Sequence, residues 1–248
     1  MKHSIKSLIG FTMGATDGEI GKVKEFYFED DTWVVRYLIV DTGNWLSGRV
    51  VLISTQSIIN VDWDKKIFLV DLTKEQIKNS PEINTDLPVS RQEEVKLQKY
   101  YPWVQYWGSG YYSGSNDVLA ISPGPLAMGL PRTNLTEEET VEEQNANKHL
   151  RSTDKVIGYK IAATDGEIGD AEDFLIDVDT WKIDLLLIDT GHWFPGKKVL
   201  FSVDRIKEID WETSSIIANT TIAHVKDSPE YDPNQESKEV YTLIPHDG

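Results

Sequence analysis

Ala15-Thr16-Asp17-Gly18-Glu19-Ile20-Gly21 returns unaltered as Ala163-Thr164-Asp165-Gly166-Glu167-Ile168-Gly169, 148 residues further along the chain. The same shift carries Thr32-Trp33 onto Thr180-Trp181, and Asp41-Thr42-Gly43 onto Asp189-Thr190-Gly191. It also carries Asp62-Trp63 onto Asp210-Trp211 and Ser80-Pro81-Glu82 onto Ser228-Pro229-Glu230. Between Leu8 and Glu82 the two stretches align without a gap, with 30 identities in 75 positions. Two long copies matched without an insertion mean two copies of one domain, not a solenoid of short units. Positions kept in both copies are expected to serve the fold, and function is expected where the copies differ or meet.

Each copy reads as mainly β. Trp33-Val34-Val35-Arg36-Tyr37-Leu38-Ile39-Val40 is rich in β-branched and aromatic residues and too short for a typical helix. Strict alternation puts Trp33, Val35, Tyr37 and Ile39 on one face, with Val34, Leu38 and Val40 on the other and Arg36 the exception. A strand apolar on both faces belongs inside a barrel or sandwich, or under a partner. Its counterpart is Trp181-Lys182-Ile183-Asp184-Leu185-Leu186-Leu187-Ile188. Further strands are predicted at 22–28, 50–54, 57–63 and 67–71. Asp17-Gly18 and Asp165-Gly166 suit tight turns, because Gly tolerates positive φ and Asp bonds its own backbone. Glu29-Asp30-Asp31-Thr32 and Asp62 to Lys66 read as hairpin ends. Five or six short strands at this spacing predict a small barrel in each copy.

Thr73 followed by Gln76 is a capping box, so a short helix should close the first copy before Pro81. Ser90-Arg91-Gln92-Glu93 is a second, opening a helix over about 91–101. The boundaries are therefore 1–83 for the first copy, 84–150 for a connector, 151–231 for the second copy and 232–248 for a tail. Within the connector, residues 100–112 carry Tyr100, Tyr101, Trp103, Tyr106, Trp107, Tyr111 and Tyr112. So many aromatics are poor material for a solvated tether, and the segment is expected to pack on a barrel or another subunit. Residues 113–149 and the tail, rich in Ser, Gly, Pro and Glu, read as flexible.

The net charge of −16 is uneven: residues 1–89 hold 13 acids against 10 bases, and residues 151–248 hold 20 against 10. Such a field repels phosphate backbones, so nucleic acid is not an expected partner. No stretch has the ~18 apolar residues of a membrane span. The first ten residues lack the apolar core of a signal peptide. There is no Cys, which excludes disulfides, zinc-thiolate sites and thiol catalysis and fits a reducing compartment. A cytoplasmic location is the expectation.

Ile9-Gly10, Asp17-Gly18-Glu19-Ile20-Gly21, the aromatic strand, and Asp41-Thr42-Gly43 with Trp45 and Gly48 together resemble the PRC-barrel family. The second copy carries the same resemblance through Ile157-Gly158, Asp165 to Gly169, Phe174, Trp181, Asp189-Thr190-Gly191, Trp193 and Gly196. That family includes the cytoplasmic domain of the photosynthetic reaction-centre H subunit and the C-terminal domain of a bacterial ribosome maturation factor. The tandem layout is similar to that of uncharacterised bacterial members with two copies. The resemblance implies two small β-barrels with short helices that dock other proteins, with no family-wide catalytic residues. The H subunit's membrane anchor has no counterpart here, so a reaction-centre role is not implied.

Chemistry finds little support. There is no G-x-S-x-G elbow and no glycine-rich phosphate loop opening a helix. His192 stands where the first copy has Asn44, and His224 where it has Gln76, so neither is a base required by both copies. A glycosidase would need two carboxylates across a cleft that barrels this small rarely enclose. The paired turn acids Asp17 with Glu19 and Asp165 with Glu167 offer oxygens to a divalent cation, without EF-hand spacing. Their alternative role is turn formation alone. Trp45 with Leu46, and Trp193 with Phe194, lie in glycine-bounded loops. Either each Trp caps its own barrel, or it anchors an interface, where Trp is enriched among energetic hot spots.

The sequence therefore predicts a non-enzymatic protein-docking or assembly module, without cofactor and homo-oligomeric. Its candidate contact residues are Trp45, Leu46, Trp193, Phe194, Tyr101, Trp103, Tyr106 and Trp107. A cation- or small-ligand-sensing module built on Asp17, Glu19, Asp165 and Glu167 is the alternative.

Overall fold

The computed structural model describes residues 2–83, 89, 91–104, 106, 150–191 and 196–232. In the first half come β1 (Lys2–Ser4), α1 (Ile5–Leu8), β2 (Thr12–Ala15), β3 (Gly18–Glu29), β4 (Val34–Asp41) and β5 (Val50–Ser54). They are followed by β6 (Ile58–Asp62), β7 (Ile67–Val70), α2 (Lys74–Lys78) and the connector helix α3 (Arg91–Tyr100). The second half holds β8 (Leu150–Ser152), α4 (Thr153–Val156), β9 (Lys160–Ala163), β10 (Gly166–Asp177) and β11 (Lys182–Asp189). It ends with β12 (Lys198–Ser202), β13 (Ile206–Asp210), β14 (Ser215–Ala218) and α5 (Ile222–Asp227). The architecture is mainly β, and each element of the second half begins 148 residues after its counterpart.

Pairing repeats with the elements. β2, β3, β4 and β5 form an antiparallel run, and β9, β10, β11 and β12 form its equivalent. β7 lies parallel to β2 and antiparallel to β6, as β14 does to β9 and β13. Among the described residues the halves are hydrogen-bonded into one 14-stranded network, joined where β4 meets β11 at Val34 and Lys182. That seam is reciprocal: Val35 N donates to Trp181 O at 2.8 Å, and Ile183 N donates to Trp33 O at 2.8 Å.

The N-terminal segments are exchanged. β1 pairs with β10 of the second half, Lys2 opposite Asp177, while β8 pairs with β3 of the first, Leu150 opposite Glu29. A cut at residues 83 and 151 follows the repeat in sequence, but in space each copy's opening strand completes the other's sheet. One apolar core accordingly runs through both halves, with Phe26, Phe28, Leu38, Phe174, Ile176 and Leu186 all fully buried.

Strict alternation along β4 is corrected by the register. Phe28 lies opposite Val35 and Tyr27 opposite Tyr37, so Arg36 is the extra residue of a bulge. The bulge turns Val35 to the core face with Leu38 and Val40, and leaves Tyr37 and Ile39 on the outer face. β11 repeats this at Asp184, between Ile183 and Leu185.

The retained motifs have local physical reasons. Asp17 Oδ1 accepts from Lys74 N at the start of α2, and Asp165 Oδ1 accepts from Ile222 N at the start of α5, at 2.8 and 2.9 Å. Thr73 and Gln76 form the capping box of α2. In the Asp-Thr-Gly loops, Asp41 Oδ1 accepts from Gly43 N and Asp189 Oδ1 from Gly191 N. Thr42 and Thr190 donate to Arg49 O and Lys197 O across the loop. α3 falls where the sequence places a helix; the capping residue Ser90 lies outside the described residues. No helix among the described residues is long and apolar enough to cross a membrane.

Candidate functional site: the surfaces where the copies differ or meet

The outer face of the first copy is sealed by the connector. Tyr27, Tyr37, Ile39 and Leu52 are buried there together with Leu97, Tyr101 and Trp103. Trp103 Nε1 donates to Ser57 Oγ at 2.6 Å, and its ring meets Tyr37 edge-on and stacks on Tyr101. Gln56 clamps the backbone of Val104, with its amide donating to the carbonyl and its Oε1 accepting from the N–H. Glu94, fully buried, accepts from Tyr106 at 2.6 Å and from Tyr37 at 3.3 Å. The Arg36 guanidinium covers the Tyr106 ring and pairs with Glu29. Burial pushes the Tyr101 phenol up to about 12. Tyr101, Trp103 and Tyr106 are thus gathered on the first copy, while Trp107 lies outside the described residues.

Trp45 is half-buried and folds back on its own copy: Nε1 donates to Ile20 O, and Lys74 lies over the ring at 4.5 Å. Leu46 packs beside it against the core. Their counterparts Trp193 and Phe194, with His192, lie outside the described residues, as do 113–149 and the tail beyond 232. His224 accompanies Arg205 at 3.1 Å. The turn acids do not converge. Glu19 lies 4.0 Å from Lys22, and Glu167 lies 3.2 Å from Lys160. Among the described residues, no three His, Asp or Glu side chains come together as a metal site.

The two junctions between the copies differ most. In one, the Arg151 guanidinium lies over Trp211 at 4.2 Å and pairs with Asp30 at 3.1 Å. At the equivalent place in the other, His3 stacks on Trp63 at 4.0 Å, and Val178 replaces Asp30. A groove of about 400 Å³ remains there, lined by His3, Ile58, Asn60, Trp63, Asp179 and Trp181. His3 Nε2 is buried there with no hydrogen-bond partner among the described residues. Burial, then the N-terminal amine, lowers the His3 pKa against the pull of Asp177 and Asp179. A missing cation in one of two related junctions is visible in sequence as His3 against Arg151, but only the exchange of β1 and β8 brings those residues to the seam.

β6 borders this groove and, among the described residues, ends the strand order with β7 as its one neighbour. Ile59 is 64% exposed and Trp63 39%. The equivalent end strand, β13, carries Lys207-Glu208 where β6 has Ile59-Asn60. Charged residues on an end strand resist pairing with another chain, and β6 lacks them at its centre.

Residues 2–77 match the PRC-barrel domain. The first copy is thus similar to the PRC-barrel domain. The match spans β1 through most of α2, the elements that recur in the second half. A relative from Deinococcus radiodurans, described as an uncharacterized protein, is 34% identical over 73 residues. The aligned stretch covers 29% of this chain and 26% of the relative, so the likeness spans about a quarter of that protein's length. The PRC-barrel is a fold of protein interaction and assembly.

Proposed function

We propose that this protein is a non-enzymatic docking and assembly module that self-associates through the open edge of its first PRC-barrel copy. The observation that carries the reading is β6, an end strand with an exposed Ile59 and no charge over Ile58-Ile59-Asn60-Val61. Two such edges pair antiparallel about a two-fold axis, each supplying the backbone groups the other needs. Charge favours this edge. The first copy is nearly balanced, whereas the second, with 20 acids against 10 bases, repels its like.

Light scattering tests it. The native chain is expected to run as a dimer, and Ile59→Lys, which restores the charge found in β13, as a monomer with an unchanged melting temperature. A native monomer at micromolar concentration, or a dimer untouched by Ile59→Lys, would overturn the proposal.

A further inference from the structure

The second copy carries a dry apolar face of its own. Leu175, Leu185, Leu187 and Leu200 are each at most 7% exposed and form a cluster separate from the main core. They are contiguous across three strands, with Leu175 opposite Leu185 and Leu187 opposite Leu200. Their chain neighbours Phe174, Leu186 and Phe201 belong to the core, so the four leucines occupy the outer face of the sheet. They correspond by the 148-residue shift to Tyr27, Tyr37, Ile39 and Leu52.

In the first copy, the chain that follows Ser80-Pro81-Glu82 covers that face with α3, Tyr101 and Trp103. After Ser228-Pro229, the chain begins the same approach. Glu230 bridges antiparallel to Val199, and Tyr231 N donates to Lys198 O at 2.7 Å. Tyr231 is packed against the four leucines. Beyond it lie residues 233–248, a polar stretch interrupted by Val240-Tyr241-Thr242-Leu243-Ile244. Sixteen extended residues reach about 50 Å, several times the ~10 Å that separates the outer two of three neighbouring strands. The buried Asp173 lies close enough for its charge to raise the Tyr231 pKa after burial itself. A face so bordered disfavours an acidic occupant, and residues 240–246 carry no acid.

We propose that the C-terminal segment 233–248 docks in cis on this leucine face, seating Tyr241, Leu243 and Ile244. The face is then a peptide site for the short, acid-free aromatic-aliphatic stretch 240–246, distinct from the β6 edge.

The test uses the full chain with Tyr241, Leu243 and Ile244 all replaced by Ser, together with a chain ending at Asp232. Both are expected to lose amide-exchange protection in β12 and to gain binding of an apolar dye. A labelled synthetic peptide of residues 233–248 should bind the shortened chain, restore protection, and compete poorly against the native chain. Protection unchanged in the Ser variant overturns the proposal, whether residues 107–149 or a second copy provide the cover. Failure of the peptide to bind a folded shortened chain also overturns it. Ile59→Lys should leave β12 protection unchanged, which separates this result from the test of self-association.

Discussion

Gly21 lies so close to Asp41 that a Cβ placed on it would meet the Asp41 carbonyl oxygen at 2.0 Å, and Gly169 stands in the same relation to Asp189 at 2.1 Å. This contact ties the two most recognisable motifs of the repeat together. The second glycine of Asp-Gly-Glu-Ile-Gly is needed because the backbone of Asp-Thr-Gly presses against it. Gly21→Ala forces either the β3–β4 pairing or the Asp41 loop apart. It should cost roughly 2 kcal/mol or more, read as a fall in the urea midpoint. Gly14→Ala is the control, since its Cβ would meet the movable tip of Leu69 at 3.0 Å. A Gly21→Ala protein as stable as that control would contradict the argument.

The repeat made this much legible because it is local. Turn glycines, capping residues and alternating apolar residues act within a few positions, and the helices at Thr73 and 91–100 follow from them. The strand exchange left no such trace. Lys2-His3-Ser4 and Leu150-Arg151-Ser152 are short and largely polar, without periodicity, and their partners lie more than 100 residues away. The bulge at Arg36 was hidden for a related reason: an extra residue leaves composition unchanged but reverses every face beyond it. Of the candidate contact residues, Trp45 donates from its indole to Ile20 O of its own copy. The aromatic connector was identifiable by composition, but its docking on the first copy depends on Ser57, Gln56 and Tyr37, which no linear pattern links to it.

Glu25 makes stability depend on pH. Burial, reinforced by the charge of Asp154 and opposed by Lys155 and Lys24, pushes its carboxyl from 4.5 up to about 7. The folded state therefore holds this proton more tightly than the unfolded chain does. The stability it contributes is fully present below about 4.5 and is lost as pH rises through about 7. Glu25→Gln removes the dependence. The variant should gain melting temperature over the native chain at pH 8 and show little gain at pH 4.5. Its counterpart Asp173 is also raised by burial, but accepts from Ser4 Oγ and Lys6 N. A gain independent of pH would show that Glu25 does not titrate in this range.

Trp103 decides whether the connector is structural or merely adjacent. Its indole is 9% exposed, wedged between Tyr37 and Tyr101, and supplies the donor that Ser57 Oγ accepts. Trp103→Ala removes that burial and leaves a cavity above β4 and β5, at a cost of about 3 kcal/mol. Exchange protection should fall in α3 and at Tyr37–Ile39, while the equivalent stretch Leu185–Leu187 keeps its protection. Trp103→Phe retains most of the apolar contact but not the donor, so it should lose about 1 kcal/mol. If both variants matched the native chain in stability and exchange, the connector would contribute nothing to the first copy's fold, and its aromatic side chains would have to be conserved in place by another contact. A loss confined to Trp103→Ala would instead assign the seal to packing alone, with the Ser57 hydrogen bond fixing only the orientation of the ring.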